Sequence, residues 1–152
     1  MRLKPDHADA LLCLSDLRSQ QGRPVEALAA LREVVRLYPT NFELRVNLGS
    51  MLWKAGLRQE ALTEYREALR LSPSHAMIHY DLGTALFAQG QLVEADKELS
   101  EAVRLKPDYL EAATDLGRVL TAEGKFQEAQ AAFRRAQQLS ATNRPAQSYH
   151  LK

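Results

Sequence analysis

The stretch Phe42 to His75, FELRVNLGSMLWKAGLRQEALTEYREALRLSPSH, decides the fold. Up to Lys54 its apolar residues recur at helical spacing, Gly56 follows, and a second helical run from Arg58 to Leu71 ends just before Pro73. A glycine just past a helix takes the left-handed conformation that closes it, and a proline one or two residues beyond a helix stops its propagation. The stretch therefore predicts two helices of about 13 residues each, folded back on one another.

Outward from this stretch, the same pattern returns every 34 residues in both directions. Glu26-Ala27, Glu60-Ala61, Glu94-Ala95 and Glu128-Ala129 stand in step, as do Gly22, Gly56, Gly90 and Gly124, and Leu14, Leu48, Leu82 and Leu116. Pro5, Pro39, Pro73 and Pro107 keep the same period. Several residue classes repeating in phase at such a spacing mark a solenoid of stacked hairpins. First (A) helices are predicted near 8–21, 42–55, 76–89 and 110–123, and second (B) helices near 24–37, 58–71, 92–105 and 126–139. Gly49, Gly83 and Gly117 in the A helices, with the repeated alanines in the B helices, would let the paired helices approach closely. One hairpin cannot bury its own apolar face, so the hairpins must stack.

The residues Leu48-Gly49, Leu52, Gly56, Ala61, Tyr65, Ala68 and Pro73, repeated with substitutions in the other segments, make the chain resemble the tetratricopeptide repeat family. The resemblance implies an all-α tetratricopeptide-type α-solenoid, with antiparallel helix hairpins stacked in a right-handed superhelix. It divides the chain into repeats at 8–41, 42–75, 76–109 and 110–143, preceded at 1–7 by the remnant of another repeat and followed by a tail at 144–152. Segment 8–41 departs from the pattern, with Ser15 for the first glycine, Arg18 at an apolar position and Val34 for an alanine. In segment 110–143, Ala141 stands where proline is expected, so the last helix should run on or fray. Both ends look cut, and exposed end helices would let copies associate as a homo-oligomer.

Composition narrows the function class. The 20 basic and 19 acidic side chains nearly cancel, so no global field draws the protein to nucleic acid or to an anionic membrane. The segment Met1 to His7 lacks the apolar core of a signal peptide, and no uncharged apolar run approaches the ~18 residues of a membrane span. A soluble chain is expected. Its single cysteine, Cys13, rules out an internal disulfide framework and fits a reducing, cytoplasmic setting better.

Catalysis would need converging titratable groups, and no phosphate-binding loop, nucleophile elbow or zincin pattern occurs in the sequence. Cys13 reads as a partly buried small side chain in the first A helix. His75 and His79 have metal-compatible spacing, but His75 falls in a loop and His79 takes the packing position that Leu11 holds in the first repeat. No catalytic residue, metal or cofactor is expected.

The family resemblance implies that inner-face positions of the A helices point towards a ligand. Carried over by position, these are Val46, Asn47, Ser50 and Trp53 in the second repeat, Tyr80, Asp81, Thr84 and Phe87 in the third, and Glu111, Asp115 and Arg118 in the fourth. With Asp9, Asp16 and Glu43 they form an acidic set beside an apolar strip of Val46, Trp53, Tyr80 and Phe87. A protein or peptide with basic residues near an apolar anchor would complement them. The carboxylate clamp of chaperone-binding members is poorly matched, since Leu12, Asp16, Asn47, Met77 and Asp81 fill its places. The asparagine ladder of O-linked N-acetylglucosamine transferases has one match, Asn47. Three readings follow: a protein-interaction scaffold, the substrate-recruiting repeats of a larger enzyme such as one of those transferases, and a structural spacer.

Overall fold

Fourteen-residue stretches such as Arg58–Leu71 and Leu92–Leu105 place alanine, leucine or tyrosine on one stripe and charged residues on the other. This is the pattern of a helix that buries one face. In the computed structural model these stretches are helical. It describes residues 12–142 apart from Asp16 and Ser19, so the expected remnant at 1–7 and tail at 144–152 lie outside the described residues. Among the described residues there are eight helices and no strand: α1 within residues 12–20, α2 Pro24–Leu37, α3 Phe42–Lys54, α4 Arg58–Leu71, α5 Ala76–Ala88, α6 Leu92–Leu105, α7 Leu110–Ala122 and α8 Phe126–Thr142. They fall into two compact units, Met1–Ser74 and His75–Lys152.

In the first unit α3 pairs with α4, and α2 lies against α3. Asn41 caps α3 by accepting a hydrogen bond from the Leu44 amide at 3.1 Å, satisfying one of the amides that a helix start leaves without a partner. The helix closes at Gly56, whose φ of +81° is the left-handed conformation expected there, while the Leu57 amide donates back to the Leu52 carbonyl at 2.9 Å. Leu52, Leu62 and Val34 are almost fully buried between the helices. Truncating one such leucine to alanine costs about 2–5 kcal/mol in a well-packed interior. Ser15, in place of the repeat's glycine, is also buried. Its hydroxyl donates to the Ala27 carbonyl at 3.0 Å, so the polar substitution is accommodated.

In the second unit α5 pairs with α6, α7 with α8, and α6 lies against α7. The interior is Ile78, Leu82, Leu86, Leu99, Val119 and Leu120. A Cβ added to Gly83 would lie 2.7 Å from Leu99 Cγ, which is why a glycine stands in mid-helix despite its low helix propensity. The last helix runs on, as the missing proline leads one to expect: α8 has 17 residues against 14 in α6. Among the described residues no helix is long and apolar enough to cross a membrane.

Candidate functional site

The expected ligand face is built by the A helices, and each unit carries its own part. In the first unit, α1 and α3 border a cleft of about 420 Å³ lined by Leu12, Asn47, Ser50 and Lys54 over a floor that includes Leu31 and Ser15. Asn47 is exposed, leaving its side-chain amide accessible to a ligand. The Ser50 hydroxyl lies 3.2 Å from the Tyr65 hydroxyl, which ties α3 to α4. Two expectations need correction. Val46 is only 7% exposed and belongs to the core; its place on α3 turns it inward. Trp53 is half-buried, and the Arg58 guanidinium lies 4.0 Å from its ring centroid. One face of this anchor is already covered by a cation–π contact.

The second unit assembles a denser group on α5 and α7, which neighbour each other. The Tyr80 hydroxyl donates to Asp115 Oδ2 at 3.2 Å. Arg118 donates to Asp115 Oδ1 at 2.9 Å, and its guanidinium lies 5.4 Å from the Phe87 ring centroid. Asp115 is therefore engaged at both oxygens, and Arg118 offsets it more completely than the sequence suggests. Thr84 spends its hydroxyl on the Asp81 carbonyl at 3.0 Å. Glu111 is exposed, and Asp81 is half-buried without an ion pair among the described residues. Burial pushes the Asp81 carboxyl up to about 6, because a desolvated carboxylate is disfavoured in its charged form.

Tyr109 was not among the expected site residues, yet it completes this group. Its ring lies 4.9 Å from that of Tyr80 at 42°, a tilted arrangement favourable for aromatic quadrupoles. Burial, then the nearby Asp81 and Glu111 charges, push its hydroxyl up to about 12. Tyr80 is raised to about 12 as well, by burial and then by Asp115. The Lys106 ammonium sits 4.8 Å from the Tyr109 ring centroid. The repeat gives no sign of Tyr109, because its equivalents Asn41 and His75 are not phenols and it precedes α7. Two half-buried phenol rings beside an unpaired carboxyl and an exposed glutamate suit a cation carried on an apolar stem.

The remaining candidates are accounted for locally. His79 is buried, with Nδ1 2.7 Å from Glu98 Oε2, joining α5 to α6. Cys13, expected to be partly buried, is exposed. Among the described residues no group of three or more His, Cys, Asp and Glu side chains is placed to hold a metal.

Comparison with known proteins agrees with this architecture. No curated protein sequence matches the chain. Among solved structures it is similar to a crystal structure of MamA, with a TM-score of 0.83 and 24% identity over 91% of this chain and 81% of that one. It is also similar to pilF of Pseudomonas aeruginosa, with a TM-score of 0.78 and 20% identity over 89% of this chain and 62% of that one. At these identities the likeness is one of fold. A Thermobaculum terrenum O-GlcNAc transferase mutant matches at 30% identity and a TM-score of 0.66, over 79% of this chain but 23% of that one. Three family models, each described as tetratricopeptide repeat, match residues 8–51, 46–109 and 86–148. With its glycine-closed hairpins and 34-residue period, the chain belongs to the tetratricopeptide repeat family, a scaffold of protein interaction.

Proposed function

We propose that the protein holds a peptide or partner protein on the A-helix face, and that in the second unit the contact is made by a basic side chain of that partner lying against Tyr80 and Tyr109 beside Asp81 and Glu111. The observation that carries this reading is Asp81, a half-buried carboxyl with no ion pair among the described residues, next to two aromatic rings. Removing a carboxylate from water is unfavourable unless a partner compensates it, and an incoming Lys or Arg would supply that partner. In the first unit, Asn47, Ser50 and Lys54 line a cleft in which polar backbone groups of an extended peptide can be bonded.

The experiment is capture of the full chain on an array of short peptides varied in charge and hydrophobicity, read at two salt concentrations. Peptides pairing Lys or Arg with an apolar residue should be captured, more weakly at high salt because exposed charge pairs are screened. Asp81→Ala with Glu111→Ala should reduce that capture by about tenfold, the effect of losing ~1.4 kcal/mol. Equal capture by the double variant, or preferential capture of acidic peptides, overturns the reading.

A second reading rests on the 30% identity to the Thermobaculum terrenum transferase, of which the chain spans 23%. On that reading the repeats recruit substrate for a catalytic domain encoded elsewhere in a longer frame. Sequencing the natural reading frame separates the two: a catalytic domain joined to the repeats favours recruitment, and a frame of repeats alone favours the free-standing scaffold.

A further inference from the structure

The turn from Lys106 to Tyr109 joins α6 to α7 and carries the second of the two phenol rings on the α5–α7 face. Its backbone is fixed at both ends: the Lys106 amide donates to the Ala102 carbonyl at 2.9 Å, and the Tyr109 amide donates to the Lys106 carbonyl at 3.1 Å. The turn from Tyr38 to Asn41 makes the same two bonds, at 3.0 and 3.1 Å, and the Ser72 amide makes the first of them at 2.9 Å. Tyr38, Ser72 and Lys106 thus fill one place in successive repeats, so the path of the turn does not call for a lysine. Nor does it call for a phenol at 109, where the equivalents are Asn41 and His75. A lysine followed three residues later by a tyrosine occurs in this turn alone of the three.

The Lys106 ammonium lies 4.8 Å from the Tyr109 ring centroid, within the range at which an aromatic face holds a cation. Lys106 is exposed and has no ion pair among the described residues. It meets the ring but not the nearby carboxylates: Asp81 and Glu111, whose charges reach the Tyr109 hydroxyl, also have no ion pair among the described residues. Arg118 differs, because its guanidinium near the Phe87 ring is fixed as well by Asp115 at 2.9 Å. Lys106 lacks such a second anchor, and an exposed cation–π contact by itself is weak enough to exchange.

We infer, on the footing of the proposed α5–α7 contact, that Lys106 is the chain's own occupant of the place taken by the partner's basic side chain, and that it leaves the Tyr109 ring when the partner binds. The incoming cation prevails because it meets the ring and the carboxylates together, whereas Lys106 meets the ring alone. Two cations cannot share one ring face, since like charges in contact repel even in water. Lys106 thereby sets a threshold: a cation too short to reach Asp81 or Glu111 gains little by displacing it.

The test follows the Lys106 Hε resonances of the full 13C- and 15N-labelled chain during titration with a peptide selected on the array, carrying Lys or Arg beside an apolar residue. The same peptide with norleucine at the basic position is the uncharged comparator. In the free chain the Tyr109 ring current should displace these resonances from those of an exposed lysine. The basic peptide should return them to the ordinary lysine position as the Tyr80 and Tyr109 amides shift, and the norleucine peptide should not. Lys106→Ser, the residue of the preceding repeat, should tighten binding of the basic peptide about threefold, the weight of one exposed cation–π contact. That gain should persist at about 1 M salt, where the Debye length is ~3 Å and general charge repulsion is screened. Lys106→Arg, whose planar guanidinium stacks more firmly on a ring, should weaken binding. Amide shifts at Tyr80 and Tyr109 with Lys106 Hε unmoved, or an affinity unchanged by Lys106→Ser or raised only at low salt, would overturn the inference and leave the α5–α7 contact standing. A basic peptide that shifts neither tyrosine would overturn both.

Discussion

Arg45 with Glu64 in the α3–α4 hairpin, and Ala113 with Ala132 in the α7–α8 hairpin, hold the same place in a 34-residue repeat, yet one place is a largely buried ion pair and the other two buried alanines at the wall of a cleft. Even the carbonyl of the proline before each hairpin is served from opposite sides. Pro39 receives Arg45 from the A helix at 3.1 and 3.0 Å, whereas Pro107 receives Arg135 from the B helix. In both units an arginine guanidinium donates to this exposed carbonyl. Which side chain donates is free to change, and that freedom leaves one place filled by an ion pair and the other by two alanines. Repetition therefore governs the path of the chain, while its chemistry is decided at positions that the path does not constrain.

The largest effect expected from this contrast is at the ion pair. Arg45→Ala would leave Glu64 partly buried without its partner and the Pro39 carbonyl without its donors, and should lower stability by about 2 kcal/mol. Arg135→Ala removes only the carbonyl contact and should cost about 0.5–1 kcal/mol. Urea denaturation of both variants measures the difference, and equal losses would break the contrast. Adding Glu64→Ala to Arg45→Ala should recover part of the loss, since contacting residues do not act additively.

The next effect concerns the glycine seam. A Cβ on Gly49 would fall 2.7 Å from the Tyr65 ring, and a Cβ on Gly117 would fall 2.6 Å from the Phe133 ring. Tyr65 is 5% exposed, with its hydroxyl beside Ser50, whereas Phe133 is 40% exposed and can turn aside. Gly49→Ala should thus cost about 1–2 kcal/mol through overpacking. Gly117→Ala should come near zero, because the exposed Phe133 ring can move off and the ~1 kcal/mol gain in helix propensity offsets what remains. Thermal unfolding of the pair tests this, and similar melting shifts would show that both seams are equally rigid.

The smallest effect is electrostatic. Asp81 holds its proton more tightly in the folded chain than in the unfolded one, with a pKa near 6 instead of the usual carboxylate value. Between about pH 4 and pH 6 the native state thus binds the extra proton, so this residue's contribution to stability falls as pH rises through that window. Asp81→Asn should stabilise the chain by about 1 kcal/mol at pH 7, after discounting for solvent screening of a half-buried group. The gain should disappear below about pH 4, where Asp81 is protonated in both states. A pH-independent gain would mean that shape, and not charge, sets the effect.

Much of the fold is legible in the residues themselves. Gly56 and Gly90 have positive φ where helix closure requires it, Gly83 stands where α5 meets Leu99, and α2, α4 and α6 span the ranges that the spacing predicts. These features are legible because each is imposed by backbone sterics that few residue types satisfy. The candidate site is less so. Position within the repeat assigned Val46 to the ligand face, but the fourth and fifth residues of α3 lie near the edge of its buried stripe, and Val46 falls inside. Nor does the sequence reveal that Arg58 covers Trp53 or that Arg118 occupies Asp115. Long cationic side chains choose their partners by rotamer and local field, not by periodicity. Tyr109 escaped because it belongs to a turn and has no tyrosine counterpart in the other repeats.

Reception of a basic partner by the α5–α7 face is tested by a backbone amide shift map of the full chain titrated with an array-selected peptide carrying Lys or Arg beside an apolar residue. Saturable shifts concentrated at Tyr80, Asp81, Tyr109 and Glu111 are expected, with affinity falling as salt is raised and lost on Asp81→Ala with Glu111→Ala. Shifts that spare these residues, or that persist unchanged in the double variant, would contradict it.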